Sequence, residues 1–208
     1  MVSPIEQQLL RNEVPGARIE VLSNVHEVVG RRAGFHERKD LFFVGGFQHQ
    51  PNVDAMLWFV HGIWPLVARE LPEACFHIVG SKMPDAIKAL ASERVVVHGF
   101  LPSLEAMLDG CRLSVAPLRY GAGVKGKVNQ SMAHGQPVVA TSVAAEGMYL
   151  QHEVDVLIAD EAAAFARECV RLYRDEALWN RLADAGLANI ATHFSFAAAT
   201  EALRRVLG

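Results

Sequence analysis

From Asp40 onward the chain alternates short runs of consecutive apolar residues with longer stretches whose apolar positions recur at helical spacing. The short runs are LFFVGG, CFHIVG, RVVVHGF, LSVAPL, PVVATS and DVLIAD. Between them stand PNVDAMLWFVHGIWPLVARE, entered at Pro51, then MPDAIKALAS, PSLEAMLDG with Ser103 as N-cap and Gly110 as stop, and GKVNQSMAHG. Strands that lack polar alternation are covered on both faces. A helix between each pair of strands makes them parallel neighbours joined by right-handed crossovers. The pattern predicts an α/β fold: a doubly wound, mostly parallel Rossmann-like sheet with helices on both faces. After DVLIAD the chain reads as helix to its end, from EAAAFARECVRLYRDEALWNRL through SFAAATEALRRVL, a helical C-terminal tail.

Residues 1–39 follow another pattern. One strand is predicted at Arg18 to Leu22, while GRRAGFHERKD is polar and loop-like. The stretch is too short for a fold of its own and reads as a connecting arm into the sheet, so residues 40–208 form the domain proper. No internal repeat or low-complexity linker interrupts it.

In open parallel sheets ligands bind at the carboxyl ends of the strands. The sequence marks those ends with Gly45 and Gly46, Gly80 and Ser81, His98 to Phe100, Arg119 to Lys127, and Thr141 to Glu146. The most specific is YGAGVKGKVNQSMAHG, from Tyr120 to Gly135. Its glycines let a ligand approach the main chain closely. The helix that starts near Lys125 aims free N–H groups and the positive end of its dipole at the same loop. Lysine opposes that dipole, so Lys125 and Lys127 together at a helix start imply a compensating anion, best matched by a diphosphate. Lys127, Gln130 and His134 share one helix face, with Val128 and Met132 on an adjacent, buried one.

Composition narrows the partners. A formal net charge of −3 over 208 residues excludes a broad nucleic-acid or anionic-membrane surface, so phosphate binding has to be local. No apolar run is long enough for a transmembrane helix, and MVSPIEQQLLRNE lacks a secretion signal's apolar core. Cys75, Cys111 and Cys169, odd in number and far apart, read as free thiols in a reducing cytosol. The histidines show no metal-ligand spacing, so no metal site is expected, and Ser114, Ser131 and Ser142 have no nucleophile-elbow context. Arg119 has two readings, phosphate partner or link to a nearby carboxylate. Glu146 reads first as a surface residue, and Trp58, Phe59 and Trp64 as core packing.

LFFVGGFQHQPNVDAMLWF, VVVHGFLPSLEAML, VAPLRYGAGVKGKVNQSMAHGQPVVATSVAAEGM and DVLIADEAAAFARECVRLYRDEALWNRL appear in an order and spacing that covers about four-fifths of the chain. In them the sequence resembles the C-terminal, donor-binding domain of group 1 (family 4) glycosyltransferases of the GT-B fold. The resemblance implies a nucleotide-sugar-dependent, metal-independent, anomer-retaining transferase that uses no cofactor beyond its nucleotide-sugar donor. It also implies an acceptor-binding N-terminal domain outside this chain, a cytoplasmic location extending to the inner-membrane surface, and work in polysaccharide biosynthesis. Carried over by position, Gly45 and Gly46 would lie against the donor phosphates, and His98, Gly99, Phe100 and Leu101 would bracket the base. Gly123, Val124, Lys125 and Lys127 would hold the diphosphate, the two lysines stabilising the leaving group.

The family's two-glutamate pattern is broken at both positions: Ala122 replaces the first, and Gln130 replaces the one that bonds the ribose hydroxyls. An amide keeps both hydrogen-bonding roles but loses the charge-assisted bond. A degenerate, non-catalytic binding module is therefore the alternative reading. A dinucleotide oxidoreductase is disfavoured, because GGFQHQPN does not supply G-x-G-x-x-G, and a sugar-nucleotide epimerase fits the motifs worse.

Overall fold

The computed structural model describes residues 1–207. Six parallel strands, β1 (Lys39–Val44), β2 (Phe76–Val79), β3 (Val95–Gly99), β4 (Cys111–Ala116), β5 (Val138–Ala140) and β6 (Leu157–Ile158), form one sheet in the order β3-β2-β1-β4-β5-β6. Each coincides with one of the apolar runs, β1 and β4 starting two residues ahead of LFFVGG and LSVAPL. The order reverses direction between β1 and β4, and the carboxyl edge at such a switch point is where open parallel sheets bind ligands.

Burial explains the uniform strands. Leu41, Phe42 and Phe43 are all fully buried in successive positions of β1, because both faces of the sheet are covered. The paired helices α2 (Gln50–Trp58) and α3 (Trp64–Glu70) pack with α8 (Ala162–Arg174) on one side. The short α5 (Glu105–Gly110), α6 (Gly126–Ala133) and α9 (Glu176–Asn189) pack on the other. Val128 and Met132 of α6 are buried as their spacing predicts.

Two elements depart from the sequence pattern. The long stretch after Pro51 is interrupted by a π turn over Phe59–Ile63, where the Trp64 N–H reaches back to the Phe59 carbonyl. Pro65, which follows at the start of α3, has no N–H to continue the regular ladder and its ring crowds the preceding turn, so the helix widens there. MPDAIKALAS yields only the single turn α4 (Asp85–Lys88). Trp58 packs edge-on against Phe165, and Phe59 against Phe76, so these aromatics are core.

The first residues form α1 (Pro4–Glu13), capped by Ser3 Oγ accepting from the Glu6 N–H at 3.2 Å, with no buried residue of its own. The strand expected at Arg18 to Leu22 does not form; the segment is extended but joins no sheet. Its backbone is satisfied elsewhere: Leu22 N–H donates to the Met1 carbonyl and His26 N–H to that of Phe194, while the Val29 and Gly30 N–H groups share the Ala133 carbonyl at 3.0 Å each. The arm is thus laced to the end of α6 and to the second π turn, Ile190–Phe194, ahead of α10 (Phe196–Leu207). The remaining short helix, α7 (Ser142–Ala145), follows β5 directly. No described helix is long and apolar enough to cross a membrane.

Candidate functional site

The turns after β1, β2 and β3 are joined edge to edge. Gly45 N–H donates to the Val79 carbonyl at 3.0 Å, Phe47 N–H to that of Ser81 at 3.0 Å, and Gly80 N–H to that of Gly99 at 2.9 Å. A methyl group on Gly80 would stand 1.8 Å from the Gly45 carbonyl oxygen and 2.9 Å from the Phe47 ring. Gly80 is therefore glycine to let the first turn lie flat on the second. Gly80→Ala should cost about 1–3 kcal/mol by overpacking and displace the Gly45–Gly46 turn; unfolding at the wild-type denaturant midpoint would contradict this.

Opposite that turn stands the start of α6. Lys125 is its N-cap, in extended conformation and with no side-chain hydrogen bond to the helix. A lysine has no acceptor to offer the first-turn N–H groups, so this helix start lacks the usual carboxylate or hydroxyl cap. The Lys125 ammonium instead turns back on its own loop, donating to the carbonyls of Gly121 at 3.3 Å and Gly123 at 2.5 Å. Gly121 (φ +130°) and Gly123 (φ +75°) both adopt backbone conformations that side chains resist. Burial lowers the Lys125 pKa, and the negative charge of exposed Glu146 works in the opposite direction.

Lys127 reaches the other way. Its ammonium donates to Asn52 Oδ1 at 2.5 Å and sits 4.1 Å from the centre of the Phe43 ring. Burial, reinforced by the positive charge of Lys125, pulls its pKa down to about 7. The missing side chain of Gly45 makes room for this arrangement, since a methyl there would lie 3.1 Å from the Lys127 nitrogen. Gly45, Gly46 and Lys127 are thus brought together as the sequence implied.

Other predicted residues divide. Gln130, half-buried one turn further along α6, makes no side-chain hydrogen bond among the described residues. His134 ends the same helix but lies 2.9 Å from Asp109 Oδ1 and is only 7% exposed, away from the carboxyl edge of the sheet. Arg119 takes its carboxylate reading: its Nε donates to Asp54 Oδ2 at 2.9 Å, its second nitrogen contacts Asp54 Oδ1, and it lies over Trp58. His98 Nε2 is 2.9 Å from His77 Nδ1, and His77 Nε2 is 3.2 Å from Asp40 Oδ2, so its ring is engaged along the sheet. Burial and the neighbouring His77 lower its pKa. Of the predicted base segment, His98, Gly99 and Phe100 border a cleft of about 460 Å³ shared with Gly80 and Met83, whereas Leu101 packs against the cluster around Phe42 and Leu108. Phe100 stands 71% exposed beside it. Val124 packs against the core.

The sequence reading did not single out Asn52, which follows Pro51 at the entry of a helical stretch, or Phe43, which lies in the apolar run LFFVGG. The available signal was a polar amide a few residues after the Gly45–Gly46 pair; that it is buried emerges only in the structure. Among the described residues no three His, Cys, Asp or Glu side chains are grouped to hold a metal ion.

A family model described as "Glycosyl transferases group 1" matches residues 38–175, from the last turn before β1 through the end of α8. The chain belongs to the group 1 glycosyltransferases. Its sheet and helical tail are one Rossmann-like half of the GT-B fold. A curated Klebsiella pneumoniae relative, "Uncharacterized 44.6 kDa protein in cps region", is 27% identical over 140 residues, which is 63% of this chain and 36% of that protein. Among solved structures, a mutant form of TarM from S. aureus in complex with fondaparinux, α-GlcNAc-glycerol and UDP superposes with a TM-score of 0.82 at 16% identity, covering 99% of this chain and 42% of TarM. HepE from Anabaena with UDP and glucose gives 0.77 at 15% identity, over 99% and 61%. The C-terminal domain of the group 1 protein LpcC from Francisella tularensis gives 0.64 at 14% identity, over 79% and 88%. The chain thus spans roughly a third to three-fifths of the length of the curated relative, TarM and HepE, and matches LpcC's separate C-terminal domain over most of that domain.

Proposed function

We propose that this chain is the donor-binding half of a nucleotide-sugar-dependent glycosyltransferase, working with an acceptor-binding N-terminal domain across a cleft. The observation that carries the reading is the start of α6. An N-terminus capped by a lysine, with a second lysine in its first turn, leaves unbonded N–H groups, a positive dipole end and two ammonium groups without a carboxylate partner. A diphosphate supplies the missing charge. In this reading it lies between the Gly45–Gly46 turn and the α6 start, and the cleft beside His98–Phe100 takes the base.

Breaking the bond from sugar to diphosphate puts negative charge on the phosphate oxygens and leaves an oxocarbenium-like sugar. Lys127, and Lys125 once it exchanges its loop carbonyls for phosphate, stabilise the leaving group in the manner of pre-aimed charge. These cations stand where other transferases would use a metal ion, which supports metal-independent chemistry. Retention of anomeric configuration, hexosyl donors and a cytoplasmic place in polysaccharide assembly are part of this proposed reading. The Klebsiella relative's position in a cps region supports the polysaccharide setting.

The test is calorimetry of the chain with UDP-, GDP- and ADP-sugars. One of the three should bind with measurable heat, competitively with pyrophosphate. Silence with all three would favour a module that keeps the fold without the donor, consistent with Gln130 and Ala122 standing where glutamates are usual.

A further inference from the structure

Asn52 is a side chain that the glycine turn and the lysine helix share. Its amide is engaged at both ends: Nδ2 donates to the Gly46 carbonyl at 2.8 Å, and Oδ1 accepts from Lys127 Nζ at 2.5 Å. The two partners make opposite demands, a carbonyl needing a donor and an ammonium an acceptor, so they fix which end of the amide is which. Asn52 is only 8% exposed. Its fit is close, since a methyl on Gly45 would approach Asn52 Nδ2 to 2.9 Å.

Nothing in α6 itself sends Lys127 this way. The ammonium near a helix start is repelled by the dipole and by Lys125, the charged neighbour on its own element. From α2, Asp54 is committed to Arg119. From beyond β5, Glu146 acts on Lys125. From β1 the ammonium meets only the Phe43 ring. Among the described residues no carboxylate pairs with it, and the neutral amide of Asn52 is its one hydrogen-bond acceptor.

We propose that Asn52 is a positioning residue for the donor's diphosphate, drawing the Lys127 ammonium across from α6 and holding it at the Gly45–Gly46 turn. The charge then sits between the two backbone elements that approach the phosphates. A neutral acceptor is the right chemistry for this task. A carboxylate would hold the ammonium as well but would repel the ligand, and an apolar residue would let it swing into solvent. The inference rests on the donor-site reading above.

The experiment has two arms, so that the two ideas can fail separately. In the first, the chain labelled with [13Cε]lysine is titrated by NMR, with the Lys127 signal identified by its loss in Lys127→Arg. In wild type it should ionise far below ordinary lysine. Asn52→Ala should move that titration toward the ordinary value by about one pH unit or more as the side chain is released, and Asn52→Asp should move it further up by adding a negative partner. Identical Lys127 titrations in all three proteins would overturn the placement, whether or not any sugar nucleotide binds. In the second arm, UDP-glucose, ADP-glucose and GDP-mannose are titrated calorimetrically into the same proteins, with thermal unfolding as the control for folding. Asn52→Ala should weaken binding about tenfold, as for loss of a hydrogen bond to a charged group. Asn52→Asp should weaken it more, with the pH profile of binding displaced to higher pH. A variant that shifts the lysine titration but binds as wild type does would overturn the role in donor binding. No heat with wild type would sink the donor reading, while the NMR arm still decides the placement.

Discussion

Replacing Arg38 with methionine should destabilise the folded chain by about 3 kcal/mol, from the loss of hydrogen bonds to buried carbonyls that then have no donor. Arg38 is fully buried. Its guanidinium donates to the carbonyls of Ala33 at 3.0 Å, of Leu108, and of His134 at 3.0 Å, and lies 5.5 Å from the centre of the Trp179 ring. Two of those carbonyls belong to the ends of α5 and α6, where a helix has no donors of its own and where a cation also meets the negative end of the dipole. Methionine keeps most of the packing against Trp179, so the deficit isolates the polar contacts. For a chain of this size it corresponds to a fall in Tm of about 6–12 °C. Lysine at 38 should restore only a fraction, since its point charge cannot serve three carbonyls in one plane. Urea unfolding should show a lower midpoint with an unchanged slope; a loss below about 0.5 kcal/mol, the range of an inconsequential substitution, would contradict the account.

Arg38 also shows where sequence reasoning stops. The HERKD stretch reads as a solvated loop because its charges are consecutive, yet one of them closes two helix ends that are distant in sequence and adjacent only in the folded structure. The strands were legible for the opposite reason: a sheet covered on both faces demands apolar side chains at successive positions, and that demand is local. Residues 18–22 looked like a strand by the same criterion, but their backbone is bonded by the chain's first residues, with Leu22 N–H donating to the Met1 carbonyl and the Ile19 carbonyl accepting from the Gln7 and Arg11 side chains of α1, which no alternation pattern encodes. The α6 loop was half legible. Its glycines and lysines marked a candidate anion site, because a lysine-capped helix conflicts with its own dipole. The opposite directions taken by Lys125 and Lys127 depend on carbonyls of the loop itself and on an asparagine from α2, and these emerge only in three dimensions.

In the full-length protein, Lys127→Met should lower the proposed sugar transfer by about 10²–10³-fold, the usual effect of removing one pre-aimed charge stabiliser. The loss should fall mainly on kcat, because charge on the diphosphate grows as the sugar departs and the ammonium therefore binds the transition state more tightly than the intact donor. The pH dependence gives a second signature. With a pKa of about 7 in the unliganded protein, Lys127 is cationic below neutrality and loses its proton above it. The donor's negative charge favours the ammonium, so its pKa rises in the complex. Accordingly kcat/KM, which reports the free protein, should be flat below pH 7 and fall about tenfold per unit above it, whereas kcat should hold to higher pH. Lys127→Met should abolish that alkaline limb along with the rate. Lys125→Ala should leave the limb in place, with its midpoint moved slightly upward, because removing the neighbouring positive charge makes the Lys127 ammonium easier to keep. A wild-type profile with no alkaline fall up to pH 9, or a Lys127→Met protein that retains it, would show that this ammonium does not carry the charge of the reaction.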